Sequence, residues 1–317
     1  MGKRRRVLVI LGVIVLVLSG AAVLSRPDPP VGFWRSAQAL ETFREDYEAA
    51  WADMPVPDVE LDVRTDYGVV RLYRFEGEGD GRTPLVLLPG RASASPVWAD
   101  NLPSLLEVGD VYTVDLLGEP GMSVQERPLQ DDRDQALWLH QTLEGLPEER
   151  FHLVGLSIGG WSATNLAVRE PSRIASVTLV DPVFVFDDLP LEAIVRSVPA
   201  SLPWLPRSWR DGFNSWTAGG APVEGVPVAD MIESGMQGYS LRLPPPARIG
   251  EERLGEIDLP VLAIIAGRSV MHDPATAVEV AERALPQGTV KVYPDASHAV
   301  NGEYPDRVAQ DIDAFLD

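Results

Sequence analysis

The chain has 317 residues, of which 45% are apolar and 23% charged, with a formal net charge of −20. That composition fits one large α/β domain with an insertion, and so acidic a surface repels phosphates, which argues against a nucleic-acid partner. Cys is absent, which excludes disulfides, thiolate catalysis and Cys-ligated zinc.

Lys3-Arg4-Arg5-Arg6 precede Val7 to Leu18, a run of Val, Leu, Ile and one Gly, followed by Ser19-Gly20-Ala21-Ala22. A basic flank, an apolar core and small residues are the layout of a secretory signal. The charge-free stretch from Val7 to Ser25 is also long enough to cross a bilayer. Residues 1–25 are therefore read as a signal peptide or a membrane anchor. Basic flanks stay on the cytoplasmic side, so the remainder is expected outside, either anchored to the membrane or secreted.

Residues 26–58 read as a linker and a helix. Pro27-Asp28-Pro29-Pro30 is stiff. Ser36 to Asp53 is helical in period, with Leu40, Phe43, Tyr47 and Trp51 at three- and four-residue steps. Val59 to Arg64 and Val69 to Phe75 form a predicted hairpin around Tyr67-Gly68, and Glu76 to Gly81 a turn.

Leu85 to Leu88 and Val111 to Val114 are short apolar runs of the kind buried on both faces of a sheet. Arg133 to Leu146 is amphipathic, with Leu139, Leu143 and Leu146 on one side. Phe151 to Val154 is a strand, followed after a turn by a helix to about Arg169. Ile174 to Val180 is another strand, ending at Asp181-Pro182. Strands alternating with helices at this spacing predict a mostly parallel sheet with helices on both faces. Residues 59–182 form its first part.

From 183 to 258 the rhythm stops. This Pro-rich stretch holds Trp204, Trp209 and Trp216 and reads as an inserted, mainly helical cap whose Trp residues pack within it. The core resumes over 259–317. Strands are expected at Leu259 to Ala266 and Thr289 to Tyr293, and helices at Ala275 to Leu285 and Asp306 to Leu316. No internal repeat or low-complexity tract is present, and nothing in the pattern specifies an oligomeric state.

Chemistry concentrates at Gly155-Leu156-Ser157-Ile158-Gly159, the pattern G-x-S-x-G, set between a strand and a helix. Such a turn lifts the serine hydroxyl clear of the sheet, and side chains two residues either side would collide. The Ile158 amide is left at a helix N-terminus, where developing negative charge is stabilised. Ser157 is thus the candidate nucleophile, and it needs a base. Of four histidines, His140 lies in a helix, His152 in the strand beneath the turn, and His272 in a loop beside Asp273. His298 follows the final strand, at the sheet edge where Ser157 emerges, and is the expected base. Two aspartates compete to orient it. Asp181 ends the strand after the Ser157 unit. Asp273, with Pro274 behind it, also looks like a helix N-cap.

Taken together, Leu87-Leu88-Pro89-Gly90, Asp115-x-x-Gly118-x-x-Gly121-x-Ser123, Gly155-Leu156-Ser157-Ile158-Gly159 and Ser297-His298 resemble the α/β-hydrolase fold in its capped, esterase-like form, from about Val59 onward. The resemblance implies Ser157 as nucleophile and His298 as base. It also implies an oxyanion hole from the amides of Ile158 and Arg91. Two departures stand out. The family usually has His where this chain has Pro89. It also usually carries its acid three residues after the glycine ending the seventh strand, here Gly267, and that position is Val270. Some members carry the acid at the end of the sixth strand, which favours Asp181 over Asp273. The resemblance implies no metal or organic cofactor and a small-molecule acyl or ester substrate, with membrane contact through an uncleaved leader. The leading expectation is an exported serine hydrolase. A non-catalytic binding protein, an acyltransferase and a cofactor-free haloperoxidase are the alternatives.

Overall fold

The computed structural model describes residues 29–78 and 81–317. The expected leader, and Gly79 and Asp80 of the expected turn, lie outside the described residues. Among the described residues, no helix is long and apolar enough to cross a membrane.

The unit from Val31 to Asp317 is built on one sheet. Its strands are β2 (Val59–Thr65), β3 (Gly68–Phe75), β4 (Leu85–Leu88), β5 (Val111–Val114), β7 (Phe151–Leu156), β8 (Ile174–Val180), β10 (Val261–Ala266) and β11 (Gly288–Tyr293). The spatial order is β11-β10-β8-β7-β4-β5-β3-β2, with a short β6 (Val124–Gln125) beside β3. β11, β10, β8, β7, β4 and β5 run parallel, and the β2–β3 hairpin joins antiparallel at the β5 edge. Every residue of β4, β5 and β10 is buried, as expected of parallel strands covered on both faces.

Two cores sandwich this sheet. On one face pack α3 (Asp132–Glu144), α4 (Ile158–Arg169) and α9 (Pro274–Ala284). On the other lie α2 (Leu102–Val108), α10 (Val300–Glu303) and α11 (Pro305–Leu316). Local chemistry sets these helices. Asp131 caps α3 by accepting from the Arg133 and Asp134 amides, and α3 then buries Ala136, Trp138, Leu139 and Leu143. Each such leucine contributes roughly 1.5–3 kcal/mol of burial.

The insertion after β8 holds α5 (Leu191–Ala200), α6 (Arg207–Thr217) and α7 (Pro227–Gly238), then β9 (Tyr239–Ser240) and a one-turn helix α8 (Glu251–Leu254). A buried Arg210–Glu233 ion pair at 2.6 Å ties α6 to α7. The N-terminal helix α1 (Ala37–Trp51) is capped by Ser36, whose Oγ accepts from the Ala39 amide. It packs on this insertion, Phe43 and Tyr47 sharing a core with Met231. A two-residue strand β1 (Phe33–Trp34), which no sequence pattern announced, pairs antiparallel with β9. The cap tryptophans divide. Trp216 lies under the Arg196 guanidinium at 4.8 Å. Trp204 and Trp209 are 75% and 51% exposed, against the expectation of packing, and nothing in the structure explains it.

Candidate active site

Strand register brings the site together. The chain steps from β4 outward to β5, then returns past β4 to β7, so direction reverses between β4 and β7. In open parallel sheets the ligand crevice forms beyond the strand ends at that reversal. Leu88 of β4 is level with Gly155 of β7, which makes Gly90 and Ser157 neighbours just past the edge. A Cβ on Gly90 would stand 3.7 Å from the Ser157 Cβ. Leu156 is in turn level with Val180 of β8, and Val180 with Ile264 of β10. Asp181 therefore emerges beside Ser157.

Ser157 has φ 54° and ψ −114°, a sparsely populated conformation held by close packing. The flanking glycines explain how. A Cβ on Gly155 would lie 2.4 Å from the Gly159 carbonyl oxygen, and one on Gly159 only 2.1 Å from that of Leu88. No side chain fits at either position. Ser157 donates its own amide to the Val180 carbonyl at 3.1 Å. The next residue, Ile158, opens α4, where amides lack intrahelical partners.

His298 Nε2 lies 2.9 Å from Ser157 Oγ, and His298 Nδ1 lies 2.6 Å from Asp181 Oδ2. Asp181 is wholly buried, and each of its oxygens accepts twice. Oδ1 takes the Ala266 amide at 2.9 Å and His272 Nε2 at 2.8 Å. Oδ2 takes His298 and the Ser269 hydroxyl, the latter at 2.7 Å. Burial works against the charged carboxyl. Hydrogen bonds from His272 and His298 outweigh it and hold Asp181 well below the usual carboxylate range. Asp273 is elsewhere. It is exposed, and its carboxylate caps α9 by accepting from the Thr276 amide at 2.8 Å.

The loop after β4, where Pro89 replaces the family's usual histidine, has its own brace. Glu119 is 3% exposed. Its Oε1 accepts from the Arg91 guanidinium at 2.6 Å and its Oε2 from the Ala92 amide at 3.1 Å. Ala92 has φ 54°, a strained conformation that such a brace stabilises. Burial pushes the Glu119 carboxyl up, and Arg91 opposes the shift. The Arg91 side chain is thus directed to Glu119, while its backbone follows Gly90 alongside Ser157.

Three of these groups, Glu119, Ser269 and His272, were given no role from sequence. All three lie within or beside motifs that sequence does reveal. Their importance comes from burial, which sequence does not report.

The insertion covers the site. A Cβ on Gly219 would sit 3.0 Å from the Ser297 Cβ, next to His298, and Ser157 itself is 8% exposed. A cleft of about 500 Å³ runs between cap and core. Pro96, Val97, Val223, Val228, Ile232 and Ala299 are among the residues that line it. Its lining reaches Ala299, next to His298, but includes none of Ser157, His298 and Asp181, and it also holds Asp53, Asp100 and Asn214.

Fold and site together define an α/β hydrolase. A sequence model of the alpha/beta hydrolase family matches residues 85–311, and the chain belongs to that family. It is similar to an uncharacterized carboxylesterase, nap, of Bacillus subtilis (strain 168), with 26% identity over 74% of this chain and 79% of the relative. It is also similar to carboxylesterase YbfK of the same organism, with 24% identity over 86% and 93% of the two chains. The crystal structure of carboxylesterase CesB (YbfK) from Bacillus subtilis superposes with a TM-score of 0.81 at 21% identity, covering 88% of this chain and 99% of that one.

Proposed function

We propose that this protein is a serine esterase that hydrolyses a carboxylic ester through Ser157, His298 and Asp181. The observation that carries the reading is the unbroken relay of contacts, 2.9 Å from Ser157 Oγ to His298 and 2.6 Å from His298 to Asp181. The carboxylesterase names of its relatives support the choice of an ester as substrate.

Ser157 Oγ attacks the acyl carbon as its proton passes to His298 Nε2. The ester C=O becomes an oxyanion, held by the Ile158 and Arg91 amides. The Asp181 carboxylate stabilises the imidazolium without taking its proton. As the tetrahedral intermediate collapses, the C–O bond to the alcohol breaks, and His298 returns the proton to the departing oxygen. Water, deprotonated by His298, then attacks the acyl-enzyme. The acid leaves and Ser157 regains its proton. Residues 1–25 export the enzyme, as a cleaved signal or as an anchor that keeps the domain outside. Intact mass of the mature protein separates these two, by presence or loss of the leader.

A fluorophosphonate probe and a p-nitrophenyl ester test the reaction. Wild type should be labelled once and should release nitrophenol, and Ser157→Ala should do neither. Well-folded wild type that is neither labelled nor active would instead be a binding protein on a hydrolase fold.

A further inference from the structure

The loop after β10 has exchanged its usual job. Where the family resemblance expects the acid, this chain carries Val270. Yet two residues of the same loop, Ser269 and His272, both reach Asp181. The loop that would have supplied the carboxylate supplies its holders instead.

His272 is the unusual one. Its ring is almost fully buried, 2% exposed, and Nε2 lies 2.8 Å from Asp181 Oδ1. A carboxylate oxygen only accepts, so Nε2 carries a proton. Nδ1 is buried without a hydrogen-bond partner. Asp181 thus bears two imidazoles, His298 on Oδ2 and His272 on Oδ1. The groups facing His272 are acidic. Asp181 comes from the end of β8. Asp187, at the entry to the cap, accepts from the Asp273 amide at 3.0 Å. Asp273 itself opens α9. Burial disfavours a charged His272 ring, but the hydrogen bond and charge of Asp181 outweigh burial, and Asp187 adds to them, so its pKa is raised.

We infer that His272 is a positioning residue of the triad, a second imidazole whose Nε2–H fixes the Asp181 carboxylate in place for His298. As a donor on Oδ1, His272 keeps Asp181 from rotating away from His298 on Oδ2. The inference rests on the esterase reading for its kinetic arm only.

Two measurements on the full-length chain decide it. The first needs no activity. The sequence has four histidines, so ¹⁵N-histidine spectra can be assigned with single His→Gln variants. His272 should carry a proton on Nε2 that exchanges slowly with solvent, and Asp181→Asn should shift its resonance. A ring whose only proton sits on Nδ1, or one that ignores Asp181→Asn, overturns the inference. The second is steady-state ester hydrolysis. His272→Gln keeps a donor near Nε2, and its kcat should fall only about threefold. His272→Leu removes that donor, and its kcat should fall by about 30-fold or more with KM unchanged, because Asp181 loses one of four donors. A purely structural histidine would lower the melting temperature of both variants and leave the kcat of folded His272→Leu within about threefold of wild type, and that result overturns the inference too. Wild type that hydrolyses no ester defeats the esterase reading, while the spectra still decide the state of His272.

Discussion

Asp181 and Asp273 lie far apart in sequence but compete for one role, and their amide variants separate them. In Asp181→Asn one oxygen that accepted two donors becomes an NH₂. With the NH₂ toward His298, the imidazole must offer its lone pair at Nδ1 and hold its proton on Nε2, facing Ser157. It is then no base. With the NH₂ turned the other way, it meets the Ala266 amide, which cannot become an acceptor. That buried donor is left unpaired at about 1–3 kcal/mol. The first orientation keeps the fold and loses the chemistry. Loss of an orienting acid in such triads lowers kcat by about 10⁴-fold, or roughly 5.4 kcal/mol of barrier. KM should stay within about threefold, because Asp181 is wholly buried and touches no substrate. Asn caps a helix as well as Asp, so Asp273→Asn should leave kcat within about twofold and stability nearly unchanged. Steady-state hydrolysis of a p-nitrophenyl ester, with thermal melts as a folding control, reads both. The reasoning fails if Asp181→Asn keeps more than about a tenth of wild-type kcat, or if Asp273→Asn loses a hundredfold.

Glu119→Gln should lower kcat by about tenfold with little change in KM, because the amide cannot accept from both Arg91 and Ala92 as the carboxylate does. An unchanged rate would mean that the loop after β4 needs no brace. His152 tests stability rather than rate. Its ring sits beneath the nucleophile turn with Nδ1 2.7 Å from the Ser176 hydroxyl, and burial lowers its pKa from 6.5 to about 4. As a base whose pKa is depressed by folding, it costs nothing above pH 6.5. Below that the unfolded chain takes up the proton first, and stability is lost until about pH 4. At pH 5 this amounts to about 2 kcal/mol unscreened, and roughly 1 kcal/mol once the ring's contact with solvent is allowed for. In urea melts at pH 7.5 and pH 5, His152→Gln should lose less stability than wild type by that difference. Equal losses would show that the ring is protonated as easily folded as unfolded.

The legible part of this protein is the part written in periods and steric necessity. Short runs such as the fully apolar Leu85–Leu88 and the β-branched and aromatic Val111–Val114 suit a strand covered on both faces. Gly155 and Gly159 are forced by backbone approaches that no side chain survives, so their spacing around Ser157 is readable without coordinates. The cap resists the same reading for a physical reason. Its helices are short and lie against α1 and one another, so an apolar stripe announces a helix there without announcing its partner. Trp204 and Trp209 show the consequence, since an aromatic residue in such a segment can equally be buried or exposed. The β1–β9 ribbon was invisible because two-residue strands have no period at all.

The least legible part is the support around Asp181, and the reason is geometric. Moving an acid from the end of one strand to its neighbour keeps the carboxylate within reach of His298, because Asp181 and the start of the β10 loop emerge side by side from paired strands. The vacated loop then faces a buried charge that it must satisfy, since an uncompensated carboxylate there is expensive. Ser269, the Ala266 amide and His272 answer that demand. Nothing in the local sequence of residues 267–273 marks them for it. Their partner lies 85 to 91 positions away, and only the register of β8 on β10 makes them neighbours. A motif can announce where a nucleophile will stand. The groups that hold its acid are chosen by whichever strand happens to pass beside it.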